Sequence, residues 1–366
     1  MTDDSETTLI RSPRIRGVVN GDSVNSIMHA EVFVGGSHHS SRFELTVSTL
    51  GDLAESHRLA LLNGRIEVSI LMRALPDGED IVLFEGLADG IAIDPVNNVS
   101  RIHGRDYSSI LINSAYQKSF SNQTASEIVN YIADRHGLSS NIETTSAMVG
   151  SYYHDGHNQV LLNTHSAISS EWDLLRYLAK AEGFELFFEG TVLVFASATS
   201  LPRNYVTLDK SNLLGIKFLR SFPLADTSNI IVKSWNSWQG QMFLHSEEKL
   251  YNQNTIGASN LDNRSGAEVA IIKPNLTLQD AAQLAQRYLR TLDEQRLKVD
   301  VVMPGDLSLK PLDILSITGN GSNIDSDYIV KSIRRHYSSA AGFIQYVRGV
   351  VAIDNSVSSV EPGGIT

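Results

Sequence analysis

Residues 43–47 read Phe-Glu-Leu-Thr-Val. A repeat of two places Phe43, Leu45 and Val47 on one side and Glu44 and Thr46 on the other. That is the pattern of a β-strand with one buried face. Short strand-like segments of this kind run from Arg14 onward. Ile15–Val19 is closed by the turn residues Asn20-Gly21-Asp22-Ser23, and Ala30–Val34 ends at Gly35-Gly36. Arg65–Arg73 precedes a Pro76-Asp77-Gly78 turn. Ile81–Ile93 supplies one or two strands, with Gly86 and Gly90 as bend or bulge positions, and Val99–Gly104 another. Many short strands separated by turn signals predict a small barrel or sandwich. Its expected span is 13–112, after a disordered segment 1–12.

The period then changes. Thr124-Ala125-Ser126-Glu127 has capping-box spacing, with Ile128, Tyr131, Ile132 and Ala133 at helical intervals and Gly137 as the stop. A second helix opens at Ser170-Glu171-Trp172-Asp173 and stops at Gly183. Two strands follow, Phe184–Phe188 and Val192–Phe195, joined by Glu189-Gly190-Thr191. This helix-and-hairpin unit predicts a separate α+β module over 113–198.

Strands resume after 199. Ile230–Trp235 and Met242–Ser246 pair around Trp238-Gln239-Gly240. A third capping box at Thr277-Leu278-Gln279-Asp280 starts the longest helix, 277–294, whose apolar positions form one face. Lys298–Met303, Asp313–Thr318, Tyr328–His336 and Phe343–Ile353 are further strands. The expected architecture is mainly β with an α+β insertion: two β-rich domains, 13–112 and 199–352, flank the module, and a polar tail covers 353–366.

The 366 residues contain no cysteine, which excludes disulfides, thiolate metal sites, iron–sulfur clusters and cysteine nucleophiles. Net charge is -11, the wrong sign for broad contact with nucleic acid or anionic lipid. No apolar run has membrane-spanning length, and MTDDSETTLIRS has no basic region followed by an apolar one.

Three histidines lie close together in SYYHDGHNQVLLNTHS, His154, His157 and His165, with Asp155 between the first two. A metal-dependent hydrolase is one reading. Yet His154 and His157 are three apart around an Asp-Gly turn, not four apart on a helix with a glutamate between them. A hairpin with exposed imidazoles is the simpler reading, and it extends to His38-His39 in a Gly/Ser turn. Arg105-Asp106 reads as a satisfied pair at a strand end. Glu79-Asp80 and Glu247-Glu248 fall in expected loops with nothing to raise one pKa. Trp172 reads as core, and Trp235 and Trp238 are the candidates for a carbohydrate-binding face. There is no nucleophile elbow, phosphate loop or dinucleotide fingerprint. No residue is assigned a catalytic, cofactor-binding or metal-ligating role.

Three segments in order carry a family resemblance. They are IHGRDYSSILINSAYQKSFSNQTASEIVNYIADRHGL (102–138), QVLLNTHSAISSEWDLLRYLAKAEGFELFFEGTVLVF (159–195) and ITGNGSNIDSDYIVKSIRRHYSSAAGFIQYVRGV (317–350). Together with VVMPGDLSLKPLDILSI, where Leu312 stands at a usual glycine, they resemble the baseplate hub proteins of contractile phage tails, the late control protein D type. The N-terminal part of type VI secretion spike proteins shares that fold. The resemblance implies two tail-tube-like β-barrel domains and a non-enzymatic homotrimer. Such a ring adapts a sixfold tail tube to a threefold central spike. It implies a virion protein of the tail baseplate, made in the host bacterial cytoplasm. Its partners would be tube, spike, other baseplate and tape-measure proteins. DNA would pass through the lumen without stable binding, and the acidic balance would leave that lumen negative. A family oligonucleotide-fold domain and β-helix are not expected after 352, so the spike would be a separate protein. A phage-like contractile injection particle is the alternative setting.

Overall fold

The computed structural model describes residues 13–24, 26–48, 64–73, 78–116, 118–153, 158–161, 168–221, 227–236, 240–248, 267–319 and 324–352. The disordered segment expected at 1–12 and the polar tail expected at 353–366 lie outside the described residues. The chain is mainly β with an α+β insertion. It divides into two compact units: 1–204 with 302–312 and 331–347, and 205–301 with 313–330 and 348–366.

The first unit opens with β1 (Arg14–Val19), β2 (Asp22–Val24), β3 (Ile27–Gly35), β4 (Arg42–Ser48), β5 (Glu67–Arg73), β6 (Ile81–Asp94) and β7 (Val99–Arg105). These are antiparallel in the order β3-β4-β7-β6-β5-β1-β2. Ile81–Ile93 is thus one long strand, with a register shift between Ala88 and Gly90. The alternation of residues 43–47 is realised: Phe43, Leu45 and Val47 are buried with Val32, Ile70, Met72 and Ile102. Gly86 and Gly104 let β6 and β7 approach closely. A Cβ on Gly104 would lie 2.0 Å from the Leu87 carbonyl oxygen, and one on Gly86 2.3 Å from that of Arg105.

The insertion follows in the same unit. It contains α1 (Ser108–Ile112), β8 (Phe120–Ser121), α2 (Ala125–His136), β9 (Ser139–Ile142), β10 (Ser151–Tyr153), β11 (Asn158–Leu161), α3 (Glu171–Glu182), β12 (Phe184–Glu189) and β13 (Val192–Ser197). Both expected capping boxes form, Thr124 with Glu127 and Ser170 with Asp173. Gly137 and Gly183 end the helices at positive φ. The helices bury Ile128, Ile132, Trp172, Leu175 and Leu178 against Leu186, Leu193 and Phe195. Trp172 is core, as expected.

The second unit contains β14 (Tyr205–Asp209), β15 (Gly215–Arg220), β16 (Thr227–Asn236), β17 (Gln241–Glu248), β18 (Ala267–Ile272) and α4 (Leu278–Gln295). Then come β19 (Leu297–Pro304), β20 (Ile314–Thr318), β21 (Ser326–Ser338) and β22 (Gly342–Val351). β16 lies between antiparallel β17 and parallel β18. Ile230 and Val232 of β16 pack on Ala281 and Ala285 of α4. Residues 331–338 of β21 belong to the first unit, where 332–338 pair antiparallel with β3.

Candidate functional site

Of the sequence-derived candidates, His154, His157 and His165 lie outside the described residues, as does Trp238. The others can be placed.

Arg105 and Asp106 do not pair. Successive residues leaving a strand point to opposite faces. Arg105 faces outward and makes a two-pronged bridge to Asp89 at 2.6 and 2.8 Å. Asp106 turns inward and is buried. Its Oδ2 accepts the Ser41 N–H at 2.7 Å, and its Oδ1 accepts the Ser108 N–H and the Ser40 hydroxyl, both at 3.1 Å. The Ser108 hydroxyl also donates to Oδ1. Burial pushes this carboxyl above the usual range against the pull of those bonds. The expected Arg-Asp pair is therefore corrected. Asp106 instead ties the 35–41 loop to the start of α1.

That loop also carries His38-His39, expected as exposed imidazoles. His39 is exposed, but His38 is largely covered and takes φ 66. Burial first, then Lys180 and Arg176 of α3, hold its imidazole down at about 4. The Ser37 hydroxyl accepts the Leu186 N–H at 2.9 Å, so the loop docks on β12 of the insertion.

Glu247-Glu248 lies at the end of β17 rather than in a loop, and Glu247 bonds His245 at 3.1 Å. Asp80 is held by Arg16 at 2.7 Å and Arg73 at 2.9 Å. Two buried charges gave no sequence signal. Glu171 binds Arg135 at 2.6 Å and His136 at 2.5 Å. Arg335 donates to the Leu309 carbonyl at 2.5 Å, fastening the 302–312 segment, and burial lowers its pKa to about 10. Among the described residues, none of these groups forms a nucleophile–base pair.

Among the described residues, the second unit leaves a largely apolar strand face exposed. One face of β16 is closed by α4. On the other, Trp235 stands opposite Met242, and Lys233 lies between Leu244 and Ile272. Trp235 is 57% exposed and Ile272 81%. Clusters of exposed large apolar side chains are common where proteins bind other macromolecules.

No family model matches the chain, and no curated protein does. Solved structures do match. A 43 kDa tail protein of prophage MuSo2 from Shewanella oneidensis aligns with a TM-score of 0.69 at 15% identity, covering 93% of this chain and 98% of that one. A tail protein from Neisseria meningitidis aligns at 0.66 and 12% identity, covering 93% and 96%. A component of the Escherichia coli type VI secretion system aligns at 0.58 and 10% identity, covering 92% and 77%. The chain therefore shares the fold of these phage tail and type VI secretion proteins.

Proposed function

We propose that this chain is a structural baseplate hub of a contractile phage tail. Its expected form is a homotrimeric ring that adapts the sixfold tube to the threefold central spike. In this reading 13–112 and 199–352 are the two barrel domains, and 113–198 is the module between them. The observation that carries the reading is the tail-protein fold, shared over 93% of this chain and nearly all of the Shewanella and Neisseria proteins. The exposed Trp235–Ile272 surface fits a protein that works inside an assembly. The titratable groups described above are engaged in fastening loops and helices, which favours a non-enzymatic role.

The protein would reside in the virion baseplate and contact tube, spike, other baseplate and tape-measure proteins. DNA would pass its lumen unbound. No helix among the described residues is long and apolar enough to cross a membrane. The same fold in a type VI secretion component keeps a contractile injection particle as the second setting. Negative-stain electron microscopy of the purified chain tests the proposal. Rings with threefold symmetry are expected, and dispersed single subunits at every concentration would oppose it.

A further inference from the structure

Segment 302–312 belongs to the first unit together with 331–347, which span parts of β21 and β22. It is seated on β22. The Gly305 N–H donates to the Phe343 carbonyl at 3.0 Å, and a Cβ on Gly305 would lie 1.7 Å from the Phe343 ring. Asp306, the next residue, is buried. On the solvent side, Arg334 of β21 stacks over Tyr346 of the neighbouring β22, 4.6 Å from the ring centroid. Alternation turns the adjoining residue of each strand, Arg335 and Gln345, to the opposite side. Both are buried, Gln345 completely. A cation, an anion and a neutral amide are thus brought into one interior.

Their hydrogen bonds do not close. The Arg335 Nη2 group donates to the Leu309 carbonyl at 2.5 Å. Asp306 Oδ1 accepts the Ser308 N–H at 2.8 Å and the Ser308 hydroxyl at 2.7 Å. Arg335 Nε, Asp306 Oδ2 and both ends of the Gln345 amide are buried without a partner among the described residues. Asp306 is near enough to raise the Arg335 pKa against the effect of burial, yet Nε and Oδ2 do not meet. Native interiors seldom leave such atoms bare, and water is their usual partner where protein is not. The mixture of groups selects that partner. An anion would face the Asp306 carboxylate, and a cation would face the Arg335 guanidinium. A small neutral molecule that both donates and accepts suits all three side chains.

We propose that one ordered water bridges Arg335 Nε to Asp306 Oδ2, with a third bond to the Gln345 amide. It accepts the Nε–H and donates to Oδ2, and three bonds is the usual number for a buried water. The water completes the fastening of 302–312 to β21 and β22 that the Arg335–Leu309 bond begins. The site lies within one unit of one chain and does not depend on the hub reading.

The test is a crystal structure of the full-length chain at a resolution that defines ordered water. A water within about 3.2 Å of both Arg335 Nε and Asp306 Oδ2 is expected. A direct Nε–Oδ2 bond, an ion in place of water, or no density between the two would overturn the proposal. In solution, a chain carrying isotope-labelled arginine should give a rotating-frame Overhauser cross-peak of dipolar sign from the Arg335 Nε–H to water. Arg335→Lys identifies the signal by removing it. The cross-peak should be lost in Asp306→Ala, with circular dichroism checking that the variant is folded. Its persistence in folded Asp306→Ala would sink the bridge.

Discussion

The backbone N–H of His38 donates to the Leu186 carbonyl at 2.7 Å. This bond, with the Ser37–Leu186 bond beside it, places His38 against α3 with Lys180 and Arg176 nearby. The folded imidazole titrates near 4, against 6.5 as the ordinary value. Between those pH values the unfolded chain binds more protons, so folding stability is full above 6.5 and declines as pH falls toward 4. His38→Asn removes the titration while tolerating the left-handed backbone. Urea denaturation at several pH values should show a shallower acid-side decline in the variant. Identical slopes would refute this account of His38.

Asp106 satisfies two backbone N–H groups that the 35–41 loop and α1 expose to the interior. Asp106→Ala strands both and should destabilise the first unit by about 2–4 kcal/mol. Asp106→Asn should cost less than Ala but more than nothing, because either amide orientation turns its NH2 toward one of those donors. Because burial raises the Asp106 pKa, its contribution is fullest below the ordinary carboxylate range and is lost as pH rises through the folded value. Both variants should lack that component in chemical-denaturation curves.

The Glu171 network is asymmetric. Glu171 is buried at the start of α3, whereas its partner Arg135 is half exposed at the end of α2. Replacing both Arg135 and His136 by alanine leaves a buried carboxylate uncompensated, a loss of about 3–5 kcal/mol. Glu171→Gln frees Arg135 to rehydrate and should cost clearly less. Thermal unfolding of the two variants side by side checks the order, and the reverse order would contradict it.

Leu312 has φ 76 and is buried. The left-handed conformation costs a non-glycine residue roughly 1–2 kcal/mol, whereas deleting a buried leucine side chain costs about 3–5 kcal/mol. Burial wins, so Leu312→Gly should be less stable than the parent by about 1–4 kcal/mol, despite relief of strain. A variant more stable than the parent would mean that the side chain packs poorly.

Local signals were legible in the sequence, and long-range ones were not. Thr124, Ser170 and Thr277 announced their helices because a cap and its partner lie three residues apart. α1 has no side-chain cap and five residues, so neither end was marked. β18 escaped because it pairs in parallel with a strand far back in the chain. Adjacency suggests a pair at Arg105 and Asp106, although alternation sends them to opposite faces. Leu312 was visible as a departure at a usual glycine, and its positive φ explains why glycine suits that position.

The central claim is that this chain is a ring-forming structural hub. Light scattering on the purified full-length protein at several concentrations measures its mass directly. The account predicts three times the 40.2 kDa of one chain. A mass of one chain at every concentration would contradict a hub that trimerises by itself.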